Sequence, residues 1–355
     1  MSADPKAEQK LPFNVVPTSL DGVYSFVPPP KGTDLTKADR ATLMKHGVWM
    51  RRPDPDREPR LFAMWHRYVT EIWTEENFVP PVFEVTKDTP HNLKGGVRQT
   101  DGSYTSFSWS GVVVVGKWVG AMGQWQIPKV WKPNTPPGAS NVWQSSSWVG
   151  LDGAGGLIPG TTTTDVLQTG VSQNVGTPRF LKEPQAAYYA WYEWFVTDYE
   201  SVSDQFPYVY PVNITSPRVH PGNEMSAIVQ YVRHQDDNIA NPIPPAGPYH
   251  FGGVMLTDVT SGKPICNLAL KPPTGASFAG DSAEWIMECG SETMPSFSSV
   301  TFRSAGACDV GDAPPEANVG VDLGKAAQVN FEGSNGVETS VSAGLATVTI
   351  TYQDT

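Results

Sequence analysis

The sequence predicts an all-β fold, an antiparallel β-sandwich that follows an N-terminal extension of mostly irregular and partly helical structure. Glycine and proline number 33 each in 355 residues, and both disrupt helix interiors. From about residue 106 the apolar residues alternate with polar ones, a period typical of half-buried strands. Turn residues separate many short runs of this kind, which indicates a sandwich or a barrel.

Three runs carry the strand prediction most clearly. Residues 348–352 alternate valine, isoleucine and tyrosine with threonine, and residues 225–231 are predicted to form another half-buried strand. Residues 188–196 are dense in aromatic side chains, which favour strands. We therefore expect the strands to lie in a domain that spans residues 106–355.

The first 105 residues have a different pattern and are predicted to form the N-terminal extension. Residues 1–35 mix charges with proline and glycine and are expected to form a loose arm. Residues 77–105 are expected to be irregular. Between them, residues 57–76 predict one helix, because its apolar residues recur three and four positions apart. These residues are Leu61, Met64, Trp65, Tyr68 and Ile72.

The net charge of −11 belongs entirely to the predicted β-domain. Residues 1–105 hold 14 basic and 14 acidic residues, whereas residues 106–355 hold 11 basic and 22 acidic ones. This balance argues against nucleic acid or an anionic membrane as a partner. The longest aliphatic block, residues 112–115, is too short to span a bilayer. The first ten residues are polar and do not resemble a signal peptide.

The cysteines and histidines predict no metal site and no cofactor. Three cysteines, Cys266, Cys289 and Cys308, are too few for a disulfide framework, although one bridge with one free thiol is compatible with the count. The six histidines are scattered, and none has metal-ligand spacing with a cysteine.

The common catalytic motifs are absent from the sequence. There is no G-x-S-x-G, no H-E-x-x-H, no phosphate-binding loop and no Asp-Thr-Gly or Asp-Ser-Gly. Leu-Gln-Thr-Gly at 167–170 has the shape of the aspartic motif with Gln168 in the place of the aspartate. Three further segments stand out: Trp-Val-Gly-Leu-Asp-Gly at 148–153, Ala-Trp-Tyr-Glu-Trp at 190–194 and Ala-Glu-Trp-Ile-Met-Glu at 283–288.

In this order the segments resemble those of the glutamic peptidases, or eqolisins, of the scytalidoglutamic type. The resemblance spans about residues 106–352 and implies a concanavalin-like jelly roll with a substrate groove on its concave face. It implies that Gln168 and Glu288 are the catalytic pair. It also implies that Trp109, Trp148, Asp152, Tyr192 and Glu193 lie near the groove as substrate-binding or supporting residues.

The chemistry of the two catalytic candidates agrees with that resemblance. On a strand, Glu284, Ile286 and Glu288 share one face, and Trp285 and Met287 share the other. A carboxylate on the groove face can act as the general base that activates water for peptide hydrolysis. An amide donor stays neutral at any pH and can stabilise the tetrahedral oxyanion.

Strand alternation makes a further prediction about the third segment. Tyr192 and Glu193 are consecutive, so they cannot both point into one groove unless a bulge intervenes.

Two alternative functions remain open from the sequence alone. The first is a jelly-roll glycoside hydrolase that uses Glu284 and Glu288, although residues four apart on a strand do not directly give the 5 Å separation of a retaining pair. The second is a β-sandwich that binds carbohydrate or peptide without catalysis.

The resemblance also carries expectations about maturation and location. It implies a secreted enzyme that acts as an acid endopeptidase on polypeptides, and we expect a monomer. Residues 1–105 are either an inhibitory propeptide, with Arg51, Arg52, Arg57 and Arg60 facing an acidic domain, or a permanent extension of the sandwich.

Overall fold

A computed structural model describes residues 11, 13–71, 75–76, 78–85, 91–134, 142–176, 185–197, 209–232, 251–308, 322–334 and 336–353. Within these ranges strands predominate, and the two α-helices are α1 (Arg40–Lys45) and α2 (Pro59–Glu71). Among the described residues, no helix has both the length and the apolar character needed to cross a membrane.

Most of the described strands belong to two large sheets. The first, here called the back sheet, has the order β1 (Val15–Pro17), β2 (Val23–Phe26), β15 (Lys263–Leu270), β14 (Phe251–Asp258), β13 (Glu224–Val232), β7 (Gly120–Gln126), β18 (Ser299–Cys308), β22 (Val348–Tyr352) and β21 (Thr339–Ala343). Every pairing in it is antiparallel.

The second sheet, here called the site sheet, faces the first. Its order is β3 (Val82–Val85), β12 (Val212–Ser216), β11 (Gln185–Phe195), β10 (Val166–Gly176), β9 (Val142–Asp152), β16 (Ser282–Cys289), β6 (Trp109–Val115), β19 (Ala327–Gly333), β5 (Tyr104–Ser106) and β4 (Val97–Arg98), with β20 (Gly336–Val337) beside β19. Its pairings are antiparallel except for β5 with β19. A separate small pair joins β8 (Val130–Trp131) to β17 (Ser296–Phe297).

The main hydrophobic core lies between the two sheets, as the alternation predicts. Trp285 and Met287 of β16 point into this core together with Trp125 of β7. The indole N–H of Trp285 donates to the main-chain oxygen of Met122 at 2.8 Å, and that of Trp125 donates to Ser147 Oγ at 2.8 Å. These bonds satisfy buried donors across the sheet interface. The predicted β-sandwich is therefore confirmed.

The side chains of the site sheet that do not point into the main core lie on the outer face of that sheet. Ile286 of β16 lies there in a second apolar cluster with Trp109, Trp148 and Trp191. Glu284 and Glu288 share this face, since they are two residues from Ile286 on either side. The predicted distribution of β16 side chains between its two faces is confirmed.

The N-terminal extension is more ordered than the sequence predicts. Residues 15–17 and 23–26, expected in a loose arm, form β1 and β2 and join the edge of the back sheet through β15. Residues 77–105, expected to be irregular, contain β3, β4 and β5 of the site sheet. Both expectations were wrong because edge pairing with distant strands stabilises these short segments. The division of the chain at residue 105 stays a prediction.

The predicted helix at 57–76 is present but shorter. It begins at Pro59, a residue favoured in the first helical turn. The side chains of Leu61, Met64, Trp65 and Tyr68 are buried against the outer face of the back sheet, and Ile72 lies outside the described residues. The short helix α1 was not predicted from the sequence. All three cysteines are buried and none forms a disulfide bond, so the one-bridge possibility is wrong.

Candidate active site

Adjacent strands bring Gln168 and Glu193 together on the site sheet. Gln168 of β10 lies directly opposite Glu193 of β11 in the antiparallel register. Both side chains are fully buried on the outer face. The Nε2 group of Gln168 donates to Glu193 Oε2 at 2.9 Å. The pairing of β10 with β11 thus places Gln168 and Glu193 side by side, and these two side chains form one half of the site.

Glu288 forms the other half and is held by tryptophan side chains. It lies on β16, and Trp148 of the neighbouring β9 donates its indole N–H to Glu288 Oε2 at 2.8 Å. The ring of Trp148 is in turn held edge-on by Trp109, with ring centroids 5.1 Å apart and planes at 76°. Trp148 therefore fixes the Glu288 carboxyl group, and the edge-on contact with Trp109 holds the ring of Trp148 in position.

The chain itself crosses this site at residues 91–94, here called the crossing segment. Gln168 Nε2 donates to the main-chain oxygen of His91 at 2.6 Å. The main-chain N–H of Asn92 donates to Glu288 Oε1 at 2.9 Å. Gln168 and Glu288 therefore contact the two ends of a single peptide group, the one that joins His91 to Asn92.

The side chain of His91 adds contacts on the same face. Its ring stacks on Trp191, with centroids 4.1 Å apart and planes at 13°. Its Nδ1 lies 3.3 Å from Glu288 Oε2, and its Nε2 lies 3.5 Å from Ser146 Oγ. The main-chain N–H of His91 donates to Glu193 Oε2 at 3.0 Å. A polar pocket continues beyond His91, lined by Ser146, Ser172, Asn174 and Tyr189 among others.

Burial sets the charge of Glu193. Burial raises the pKa of Glu193 well above its usual value, and the neighbouring charge of Glu288 raises it further. The N–H donors of His91 and Gln168 act in the opposite direction. Glu193 is therefore neutral in acid solution, beside a second carboxyl group at Glu288.

Two further carboxyl groups lie along the same face but away from the peptide group. Burial raises the pKa of Glu284 well above its usual value. Burial also raises the pKa of Asp152 to about 8, although main-chain N–H groups of residues 279–281 lower it. Asp152 accepts hydrogen bonds from those three N–H groups at 2.9–3.0 Å. It therefore holds in place the residues that lead into β16. No group of carboxyl, imidazole or thiol side chains in the described ranges is arranged to hold a metal ion.

The predicted site residues thus divide into three sets. Gln168, Glu288 and Glu193 bond to the crossing segment, Trp148 bonds to Glu288, and Trp109 packs against Trp148. Asp152 was expected at the groove, but its carboxyl group binds main-chain N–H groups beside β16 instead. Tyr192 was also expected there, and this was wrong. Its ring points into the core between the sheets and contacts Phe83 edge-on at 5.8 Å, because consecutive strand residues face opposite sides.

The sequence match decides the family. Residues 107–241 and 246–352 match the model of the Peptidase A4 family, well over half of the chain. The chain belongs to the Peptidase A4 family. The resemblance to glutamic peptidases drawn from the four segments is thereby confirmed, and with it a glutamic endopeptidase that hydrolyses polypeptides. Family membership favours this peptidase activity over the glycoside hydrolase and over a sandwich that only binds.

The solved structures to which this chain is similar include three glutamic peptidases of low sequence identity. Scytalido-glutamic peptidase with a peptide-based transition state analog has 18% identity and a TM-score of 0.47, and the match covers 69% of this chain and 98% of that one. SCP-B, an eqolisin in complex with the tripeptide Ala-Ile-His, has 19% identity, a TM-score of 0.46 and the same coverage. Aspergilloglutamic peptidase from Aspergillus niger has 22% identity and a TM-score of 0.40, with 59% and 99% covered. Comparison with curated proteins finds no match.

Sequence reasoning missed the contribution of the crossing segment to the peptidase site. His91 was one of six scattered histidines, and Asn92 belongs to no motif. Trp191 was noted only as part of its segment. The available signal was strand alternation, which places Trp191 on the same face as Glu193 and opposite to Tyr192.

Proposed function

We propose that the peptidase is an acid endopeptidase in which Glu288 is the general base and Gln168 stabilises the oxyanion. The observation that carries this proposal is the peptide group between His91 and Asn92. Its oxygen lies 2.6 Å from Gln168 Nε2, and its nitrogen lies 2.9 Å from Glu288 Oε1. These are the distances that a donor to the oxyanion and a group exchanging protons with the leaving nitrogen require.

The proposed reaction uses these two side chains in sequence. Glu288 takes a proton from a water molecule, and the water oxygen attacks the carbonyl carbon of the scissile bond. The negative charge that develops on the carbonyl oxygen is stabilised by the Nε2 group of Gln168. Protonated Glu288 then donates to the leaving nitrogen as the bond breaks. The step needs no covalent intermediate.

Acid operation follows from Glu193. A negative charge on Glu193 would lie next to Gln168 and would repel the negative charge that develops on the oxyanion. Because burial raises the pKa of Glu193, acid solution keeps this group neutral. We therefore expect activity to be present at low pH and to fall as the pH rises through the pKa of Glu193.

The whole chain is also suited to acid. When its carboxyl groups are protonated, residues 106–355 retain only 11 basic side chains. Self-repulsion is then small, so the fold can persist where many proteins are driven apart. Secretion and a monomeric state belong to the same proposal.

Casein digestion tests the proposed function. Purified chain is incubated with denatured casein from pH 2 to pH 7 for many hours. The long incubation allows for slow displacement of the crossing segment from the site by the substrate. We expect acid-dependent cleavage that decreases about 10²–10³-fold in Gln168→Ala and 10²–10⁴-fold in Glu288→Gln. Circular dichroism checks that both variants fold. Undiminished cleavage by either folded variant would remove that residue from the mechanism.

A further inference from the structure

Helix α2 covers only part of the outer face of the back sheet. Met122 of β7 belongs to the apolar cluster beneath the helix. Two residues farther along the same strand and on the same face, Gln124 accepts a hydrogen bond from Arg67 of the helix. The next outward-facing residue, Gln126, is exposed. The outer face therefore continues past the helix contact at Gln124 and is open to solvent there.

A groove of about 550 Å³ lies on this open part of the sheet and is here called the back groove. Val300 and Phe302 of β18 point into the core between the sheets. Strand alternation therefore turns Ser299, Thr301 and Arg303 outward, where they line the groove. Six of the described lining residues carry hydrogen-bond donors in their side chains: Gln126, Lys129, Ser298, Ser299, Thr301 and Arg303.

The charge of the back groove is opposite to that of the domain around it. Residues 106–355 hold 22 acidic residues against 11 basic ones. The described lining residues include Lys129 and Arg303 and no aspartate or glutamate. Glu224 lies opposite Gln126 in the pairing of β13 with β7 but is not among those lining residues. The back groove is therefore a local site of positive charge that attracts anions.

The two cations of the back groove are available to a ligand. Both Lys129 and Arg303 are exposed. Within the described part of the chain, neither side chain forms an ion pair or a hydrogen bond. Gln124, the partner of Arg303 in the pairing of β18 with β7, holds the guanidinium group of Arg67 beside the groove. A bound anion would thus meet cations without first breaking an ion pair of the protein.

The strand that carries Arg303 is irregular at that point. The pairing of β18 with β7 shifts register between Arg303 and Gly306, and Ser304 has a φ of 47°. A positive φ is uncommon for a residue other than glycine, and it persists where the surrounding structure outweighs its cost. A β-bulge often re-aims a side chain beside a functional site. The irregularity therefore supports a role for the Arg303 side chain beyond the pairing of the strands.

The chemistry of the lining residues selects the class of ligand. A guanidinium group, an ammonium group and several hydroxyl groups together suit an oxyanion with several acceptor oxygens. None of the described lining residues is aromatic, so the groove offers no ring on which an apolar ligand could stack. Its volume is far larger than a single ion needs and lies in the range of small-molecule sites.

We propose that the back groove binds a sulfate or phosphate group carried on a small polar molecule. Arg303 and Lys129 bind the oxyanion group, and the hydroxyl groups of Ser298 and Ser299 bind the remainder of the ligand. The groove lies on the sheet opposite to the one that carries Gln168 and Glu288. Its occupation is therefore independent of the proposed peptidase mechanism, and no bond of the ligand is made or broken.

A titration followed by amide NMR tests this proposal. Labelled protein is titrated in neutral solution at constant ionic strength with glucose 6-sulfate, with inorganic sulfate and with glucose. We expect saturable shifts of Gly222, Ser299 and Thr301 with glucose 6-sulfate, weaker binding of inorganic sulfate and no shift with glucose. Absence of saturable shifts with both sulfates would overturn the proposal. Equal affinity for the two sulfates would contradict a larger ligand, and equal affinity for glucose would contradict recognition by charge.

Matched variants test whether the two cations carry the binding. Lys129→Gln and Arg303→Gln are each expected to weaken binding of glucose 6-sulfate at least about fivefold, and the double variant more. Lys263→Gln is the control, because it removes the same charge from an exposed lysine at the start of β15, outside the groove. It should bind as wild type does. Unchanged amide shifts elsewhere establish that the variants fold. Wild-type affinity in the folded double variant, or an equal loss in Lys263→Gln, would overturn the assignment.

Discussion

At the scale of single residues, the amide of Gln168 has one productive orientation. The atoms that face it are acceptors, the oxygen of His91 and Oε2 of Glu193. Only the Nε2 end can bond to both. Glu193 Oε2 receives N–H groups from Gln168 and His91, which leaves Oε1 to carry the proton of the neutral acid. Glu193 is therefore a positioning residue for the oxyanion donor.

This role of Glu193 gives a prediction about kinetics. Glu193→Ala removes the acceptor that orients Gln168, so we expect kcat to fall about tenfold, about 1.4 kcal/mol in activation free energy, with little change in KM. Glu193→Gln presents a carbonyl oxygen in the same place and should restore most of kcat. The measurement is steady-state hydrolysis of a peptide at acid pH. Equal loss in both variants, or a loss confined to KM, would argue for a merely structural role.

Some of these residues were accessible from the sequence and others were not. Gln168, Glu288, Trp148 and Glu193 each belong to a short segment with a distinctive order. His91 lies 77 positions before Gln168 and 197 before Glu288. No sequence pattern around His91 shows that the chain crosses the site sheet there. The contact of His91 with Gln168 and Glu288 depends on the complete tertiary fold.

At the scale of elements, alternation predicted the strands and their faces well. Strand β16 has Trp285 and Met287 in the core and Glu284 and Glu288 outside, as the period of two requires. Alternation did not predict the short strands β1 to β5. Each has at most four residues, too few for a period to show, and each depends on pairing with a neighbour distant in sequence or at a sheet edge.

Helix α2 gives a prediction about the element that covers the back sheet. Trp65 is 1% exposed, and the Arg52 guanidinium lies 4.9 Å from its ring centroid. We expect Trp65→Ala to lower the free energy of unfolding by about 3–5 kcal/mol. His66→Ala, the exposed next residue, should change it by less than about 0.5 kcal/mol. Urea unfolding at constant pH measures both, and a small effect of Trp65→Ala would mean that the helix is not a structural layer.

At the scale of the whole molecule, buried carboxyl groups couple stability to pH. Burial raises the pKa of Glu193 and Glu284 well above their usual values, and that of Asp152 to about 8. In the unfolded chain these groups titrate near pH 4. Between pH 4 and the raised pKa values, the folded state binds more protons than the unfolded state. The resulting stabilisation is complete below about pH 4 and is lost as the pH rises.

The expected result is a peptidase that is most resistant to unfolding in acid. The free energy of unfolding should fall between about pH 4 and pH 8, at up to about 1.4 kcal/mol per pH unit for each proton difference. Glu284→Gln replaces a neutral acid by a neutral amide and removes one titrating group, so its decline should be shallower. Urea unfolding across this range measures both chains. Stability that rises toward pH 8, or an equal slope in the variant, would contradict this explanation.

The central claim is that Gln168 and Glu288 act together on one bound peptide bond. The most direct measurement is kcat/KM on a single fluorogenic peptide at acid pH for wild type, Glu288→Gln and Glu284→Gln. The two variants make the same change on the same face of β16, and only Glu288 contacts the peptide group. We predict a loss of about 10²–10⁴-fold for Glu288→Gln and near wild-type activity for Glu284→Gln. Wild-type activity in folded Glu288→Gln would contradict the claim.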